Sequence, residues 1–197
     1  RRCRTSNGRC VVELQTLLSR CHAGDEIAWE ALVRRYQGRV FAVAHHYLRD
    51  PEEARDVAQE TFVHIYKGLS SFNRGGSFLA WAVRIARNAS IDRLRYLKAR
   101  PALGGALVDD ELAGPDSAPG PEASSISGER RHVMRRAIDQ MSPINREMIL
   151  LKEIQGLKQR EISDLLSIPL GTVKARANRA RLELARRVLE LDPSFGI

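Results

Sequence analysis

No stretch of this sequence strings together the ~18 to 20 apolar residues that a membrane-spanning helix needs, so no membrane insertion is expected. The basic start "RRCRTSNGRC" is followed by "VVELQTLL", whose Glu13 and Gln15 make a poor signal peptide. A soluble, cytoplasmic protein is the expectation. Cysteine is scarce: Cys3, Cys10 and Cys21 all fall within the first 21 residues. They form no CxxC pair, and their spacings fit no common zinc pattern even with His22 adjacent. An odd count also argues against a disulfide framework, so the thiols read as unpaired on a partly flexible leader. Catalytic signatures are missing too. There is no glycine-rich phosphate loop, no nucleophile elbow and no HExxH, and the adjacent His45 and His46 diverge around a helix. Neither an enzyme, nor a metal, nor a cofactor is expected.

Aromatics make up only 6% of the chain, and apolar residues never alternate with period two for long. Both absences argue against a sheet and for an all-α fold. What the chain has in excess is positive charge, with 32 Lys and Arg against 24 Asp and Glu, a formal net charge of +8. A polyanion is the partner class such a balance favours, nucleic acid first and an anionic membrane surface second.

One stretch reverses this composition. From Pro101 to Gly128 there are four prolines, five glycines and five acids, with no Lys or Arg. That density of helix breakers marks a flexible linker between two small helical domains. The expected organisation is a leader at 1–24, an N-terminal domain at 25–100, a linker at 101–128, a C-terminal domain at 129–191 and a tail at 192–197.

Helical spacing dominates both domains, and the block from Val11 to Arg100 reads as four helices. Trp29, Leu32, Val33, Tyr36, Val40, Val43 and Tyr47 recur at three and four residues. Asp50, Pro51 and Glu53 then read as N-cap, N1 and N3 of a capping box. The helix they start carries Ala54, Val57, Ala58, Phe62 and Ile65 inside. After "SSFNRGGS", the stripe Phe78, Trp81, Ile85, Ala89 and Leu94 defines the next helix. In the C-terminal domain, Ser142 and Pro143 announce a helix start and Gly156 a helix end.

The segment "KQREISDLLSIPLGTVKARANRARLELARR" carries the sharpest signal. A helix, a tight "SIP" corner and a basic second helix make a helix-turn-helix. The second helix lines Val173, Ala177, Ala180, Leu184 and Val188 along one face and places six Lys or Arg mostly off it, against Glu183. In that motif the N-terminal part of the second helix meets base edges. Here this means Thr172, Lys174, Ala175, Arg176, Asn178 and Arg179, and Arg and Asn are the side chains that pair bidentately with guanine and adenine. Ser167 stands at the turn position where glycine is usual, so a positive φ there would cost about 1 kcal/mol.

Two features remain in the N-terminal domain. Arg84, Arg87, Arg93, Arg95, Lys98 and Arg100 are interleaved with Trp81 and Tyr96 and preceded by Phe72 and Phe78, a mixture suited to unstacked bases. Trp81 alone fits core and surface platform equally. Opposite in sign, Asp56, Gln59 and Glu60 share a helix face beyond the first turn, where the helix dipole no longer explains acids. In a basic chain that face points to a basic protein partner.

Together, "DPEEARDVAQETFVHIY", "FNRGGSFLAWAVRIARNASIDRL" and "REMILLKEIQGLKQREISDLLSIPLGTVKARANRAR" resemble the bacterial extracytoplasmic-function sigma factors, over about Asp25 to Leu189. The resemblance implies a region 2-like bundle and a region 4-like helix-turn-helix, acting in promoter recognition and transcription initiation. It implies that Asp56, Gln59 and Glu60 dock on a coiled coil of the β′ subunit of core RNA polymerase. It also implies that Phe72, Asn73, Trp81, Arg84, Arg87, Asn88 and Arg93 melt and read the −10 element of promoter DNA. The helix from Thr172 would read the −35 element, the linker would thread the core enzyme, and an anti-sigma factor would be the regulatory partner. "AWAVRIA" places Val83 where many relatives have an aromatic. The alternative from another class is a stand-alone helix-turn-helix regulator with an N-terminal interaction domain.

Overall fold

The computed structural model describes residues 7–73, 75–99 and 126–195. They form eight helices and, among the described residues, no strand: α1 (Asn7–His22), α2 (Glu26–Leu48), α3 (Pro51–Gly68), α4 (Phe78–Ala99), α5 (Ile126–Asp139), α6 (Pro143–Ile149), α7 (Gln159–Leu166) and α8 (Leu170–Leu191). The chain divides into two compact units, with the boundary between Arg100 and Pro101. Most of the expected linker, together with Cys3, Arg100 and the last two residues, lies outside the described residues.

In the first unit α2, α3 and α4 pack against one another, and α1 lies on α2. Asp50 caps α3 as expected, its carboxylate accepting from the N–H groups of Glu52 and Glu53 at 2.8 and 2.9 Å. Leu32, Val40 and Val43 of α2, Val57 and Ile65 of α3 and Phe78 of α4 are all fully buried, and Val57 and Ala54 of α3 cluster with Ala44 and Leu48 of α2. Two buried hydroxyls are satisfied within their own helices: Thr61 Oγ1 donates to the Val57 carbonyl and Ser90 Oγ to that of Ala86.

The first of the four helices expected from Val11 onward is α1; it begins at Asn7, inside the stretch also read as leader, and buries Leu18 and Cys21 where it lies on α2. Cys21 is unpaired, and burial, aided by the charge of Asp25, pushes its thiol pKa up. Two expectations about α4 and α3 need correction. The inner face of α4 is Phe78, Ala82, Val83, Ala86 and Ser90, while Trp81, Ile85, Ala89 and Leu94 are half-buried. Small residues let α4 approach its neighbours closely, so the helix settles one position away from the stripe of large side chains. Finally, Glu53 does not close a capping box; its carboxylate is engaged elsewhere, as described below.

In the second unit, α6 and a π-turn (Leu150–Ile154) end at Gly156, whose φ of 72° is the left-handed conformation that glycine takes freely. Helix α5 starts at Ile126, inside the stretch expected to be linker. Arg146 closes the end of α5, donating to the carbonyls of Ile138, Asp139 and Met141 at 3.0, 2.5 and 2.8 Å. These are carbonyls that a helix terminus leaves without partners. Ser142 precedes α6 but makes no side-chain cap. Its Oγ and N–H instead donate to Glu183 of α8 at 3.0 and 2.8 Å, and Asn145 Nδ2 donates to the same carboxylate at 2.5 Å. A carboxylate from α8 therefore serves the N-terminus of α6 in place of the expected serine.

Candidate nucleic-acid interface

The corner between α7 and α8 is tight. Ser167 takes φ 54° and ψ 43°, the left-handed conformation that glycine usually supplies at this turn. Its N–H and that of Ile168 both reach the Ser163 carbonyl, and Ser163 Oγ donates back to the Ile168 carbonyl at 2.6 Å. Glu161 accepts from the Lys158 N–H at 2.7 Å, which starts α7. Burial of Ile162 and Leu165 of α7 and of Val173, Ala177, Ala180 and Val188 of α8 fixes the two helices together.

That packing decides what α8 presents. Lys174, Ala175, Asn178 and Arg179 are exposed, while Thr172 and Arg176 are half-buried along the edge of the apolar stripe. Charge is divided along the helix. Arg181 pairs with Glu153 at 2.8 Å, and Arg186 and Arg187 both pair with Glu190, at 3.3 and 3.1 Å. Among the described residues, no such partner neutralises Lys174, Arg176 or Arg179. The positive charge of α8 is thus concentrated at its N-terminal half.

The first unit offers a different surface. Phe72, Phe78 and Trp81 form an aromatic cluster with ring centroids 5.0 to 5.7 Å apart. Trp81 is half-buried, lodged against Gly68, where an added Cβ would lie 3.3 Å from its ring. It is therefore both a packing residue and partly available. Asn73 shapes the loop before α4, its Oδ1 accepting from the Gly75 N–H and its carbonyl from the Gly76 N–H. On α4, Trp81, Arg84 and Asn88 share one face, and the latter two are exposed. Arg87 is turned to α2, its guanidinium 5.8 Å from the Tyr47 ring centroid. Arg93 is turned to α3, donating to Glu53 through Nε at 2.5 Å and Nη2 at 3.0 Å. The seven residues expected to act together are thus not one patch. Val83 is core, only 1% exposed.

On α3, Asp56, Gln59 and Glu60 are all exposed. Glu60 lies 3.5 Å from His64 on the next turn. Beside them a 460 Å³ groove opens between α3 and α4, lined in part by Glu60, His64, Asp92 and Tyr96.

The comparisons with known proteins follow the same division. The Sigma-70 region 2 family matches residues 32–100, and the Sigma-70 region 4 family matches residues 131–184. The sigma factor SigW of Bacillus subtilis, an extracytoplasmic-function RNA polymerase sigma factor, is 33% identical over 178 residues, covering 85% of this chain and 92% of its own. The chain belongs to the extracytoplasmic-function RNA polymerase sigma factors. RNA polymerase sigma-H factor of Pseudomonas aeruginosa is 31% identical, covering 85% of this chain and 89% of its own. Two solved structures share the fold. CnrH, in complex with the cytosolic domain of CnrY, matches at 24% identity with a TM-score of 0.60, covering 90% of this chain and 97% of that one. Sigma factor RpoE of Bartonella quintana, in complex with the anti-sigma factor NepR, matches at 20% identity with a TM-score of 0.57, covering 84% and 97%.

As a sigma factor the protein serves promoter recognition and transcription initiation by RNA polymerase. The region 2 match contains α3, the aromatic cluster and α4 of the sigma factor, and the region 4 match contains α7, the corner and the first two thirds of α8. A stand-alone regulator would have no place for region 2. The roles that Glu53, Asn145, Arg146 and Glu183 play escaped the sequence reading, because each acts on a partner that no local motif reveals.

Proposed function

We propose that this sigma factor binds core RNA polymerase through the exposed Asp56, Gln59 and Glu60 of α3 and reads promoter DNA with two separate surfaces. Thr172, Lys174, Ala175, Arg176, Asn178 and Arg179 of α8 read the −35 element in the major groove. Phe72, Trp81, Arg84 and Asn88 take the −10 element as it unstacks, with Asn73 shaping the loop between them and Arg87 flanking. The observation that carries this reading is the division of charge on α8. An unneutralised basic end beside a helix-turn-helix corner suits phosphates and guanine edges, and ion pairs have already consumed the charge of the other end.

The role is non-enzymatic and cytoplasmic, where polymerase and promoter are, and no helix among the described residues is long and apolar enough to cross a membrane. The acidic segment at 101–128 acts as the spacer between the two domains, and an anti-sigma factor is the regulatory partner. Docking is tested by titrating core RNA polymerase with Asp56→Lys and Glu60→Lys variants. Truncating one side of a desolvated charge contact costs ~2 to 5 kcal/mol, so a large loss of affinity with unchanged helicity is expected. Wild-type affinity in both variants would remove α3 as the docking face.

A further inference from the structure

Arg93 is set apart from the other basic residues of α4 by geometry. At 100° per residue, it falls about 20° around the helix from Ala82 and about 20° from Ala86 on the other side, both core residues. Trp81, Arg84 and Asn88 cluster roughly 100 to 160° from Ala82, toward the opposite side. Arg93 therefore lies along the inward stripe of α4, and the structure gives it a partner on α3. Glu53 sits in the first turn of α3, forty residues earlier, and receives two parallel N–H donors from the guanidinium. Both side chains are largely covered, at 36% and 26% exposure. The Tyr96 ring lies 5.4 Å from the same guanidinium and flanks it.

This is fork-to-fork pairing, which fixes orientation as well as distance. A surface ion pair between long side chains would contribute little. A bidentate, half-buried one between two helices sets their register. The two helices are those that the proposed function uses for different partners. Asp56, one turn along α3 from Glu53, carries charge that also acts on Arg93, while Asn88 and Arg84 lie about one and a half and two and a half turns before Arg93 on α4.

We infer that Arg93 is a positioning residue, not a nucleotide contact, and that Glu53 and Arg93 together hold the promoter-opening face of α4 in register with the docking helix α3. The inference rests on the proposed function and refines it: Glu53 joins the residues needed for opening, and Arg93 leaves the set that touches DNA.

A double-mutant cycle in the full-length protein tests it. Glu53→Gln, Arg93→Gln and the double variant are assembled with core polymerase on a duplex promoter selected by the wild-type holoenzyme. The template carries 2-aminopurine in its −10 element, so opening is read as fluorescence. Core affinity is titrated separately, and helicity is followed by circular dichroism. Each single variant is expected to slow opening about threefold to tenfold, and the double variant no more than either, because the two groups act as one unit. Core affinity should change less than twofold, and the salt dependence of DNA binding should keep its slope, since no phosphate contact is lost. Slow opening in Arg93→Gln alone, with a slope reduced by about one, would make Arg93 a DNA contact and overturn the inference. Opening losses that only follow a loss of helicity or of core affinity would overturn it too. If the wild-type protein itself opens no promoter with core polymerase, the parent reading falls and takes this one with it. Wild-type opening with an unaffected Glu53→Gln variant defeats this inference alone.

Discussion

Two long basic helices, α4 and α8, have the same length of 22 residues and deploy their arginines in opposite ways. On α8 the residues nearest the helix-turn-helix corner have no ionic partner among the described residues, and the far end is neutralised by Glu153 and Glu190. On α4 the neutralisation is interleaved. Arg93 is held by Glu53, Arg95 faces Asp92 at 3.4 Å, and Arg87 leans on Tyr47. What α4 has instead is an aromatic cluster at its start. The contrast matches two kinds of DNA. A closed duplex presents phosphates and groove edges to free charge, whereas an opening strand presents base faces to rings. A helix that held everything in free charge would bind any duplex; on the proposed reading, tying down part of α4 would limit non-specific affinity.

The largest test of that contrast is on α8. Arg179→Ala, at an exposed position, should cost about 1 to 3 kcal/mol of promoter affinity and relax specificity at one −35 base pair. Arg176→Ala, half-buried at the edge of the stripe, should do the same if its side chain reaches a base. Binding measured across −35 variants decides. A uniform loss with a shallower salt slope would assign either arginine to phosphate instead.

On α4 the matching variant is Trp81→Ala. Much of the ring already packs on Phe72, Phe78 and Gly68, so only part remains for a base. The expected loss in single-stranded −10 binding is about 1 kcal/mol, the low end of the range for base stacking. Its salt slope should not move, unlike that of Arg84→Ala, which should fall by about one. Equal slopes for the two variants would erase the proposed difference between rings and charge.

How far these surfaces could be read in advance depends on the range of the interaction. The helices, the Asp50 cap, the left-handed Ser167 and the stripe of α8 are local, so spacing of three and four exposes them. Glu53 looked like a capping residue because its nearest N–H groups lie next to it in sequence. Its partner is forty residues away, and nothing at Glu53 signals it. Ser142 looked like a cap for the same reason, and a carboxylate from α8 took that place. The stripe of α4 misled because size was weighed over closeness of approach: Ala82, Ala86 and Ser90 are inside, and the larger Trp81, Ile85 and Leu94 sit at the edges. Local chemistry was legible, and choices made by packing were not.

The trans-acting cap also sets how the second unit responds to acid. Burial alone would raise the Glu183 pKa, but hydrogen bonds from Asn145 and Ser142 hold it below its ordinary value of 4.5. A carboxyl whose pKa is depressed by folding stabilises above its unfolded pKa, and that stability is lost as pH falls through the folded value. The second unit should therefore lose stability as pH drops below about 4.5. Glu183→Gln should remove that part of the acid dependence and cost about 1 kcal/mol at neutral pH, as loss of a helix cap does. Thermal melts at pH 7 and pH 4 check both; an unchanged acid dependence in Glu183→Gln would assign it to other carboxylates.

The smallest expected effect concerns backbone strain at the corner before α8. Among the described residues, two that are not glycine have positive φ, Arg49 after α2 at 62° and Ser167 after α7 at 54°, one in each unit. A side chain in that conformation costs roughly 1 kcal/mol relative to glycine, through the clash of Cβ with the backbone. Glycine relieves the clash but makes the unfolded chain more flexible, which takes back about 0.4 to 1 kcal/mol. Ser167→Gly should therefore raise the melting temperature slightly or leave it level. The corner bonds do not involve the Ser167 side chain, since the Ser163 hydroxyl and carbonyl make them, so they survive the change. DNA affinity should be unchanged, because the corner keeps its geometry and the free charges of α8 stay where they are. A marked loss of −35 affinity with an unaltered melt would show that the Ser167 hydroxyl itself contributes to the DNA surface, and that α8 does not act through its charged half alone.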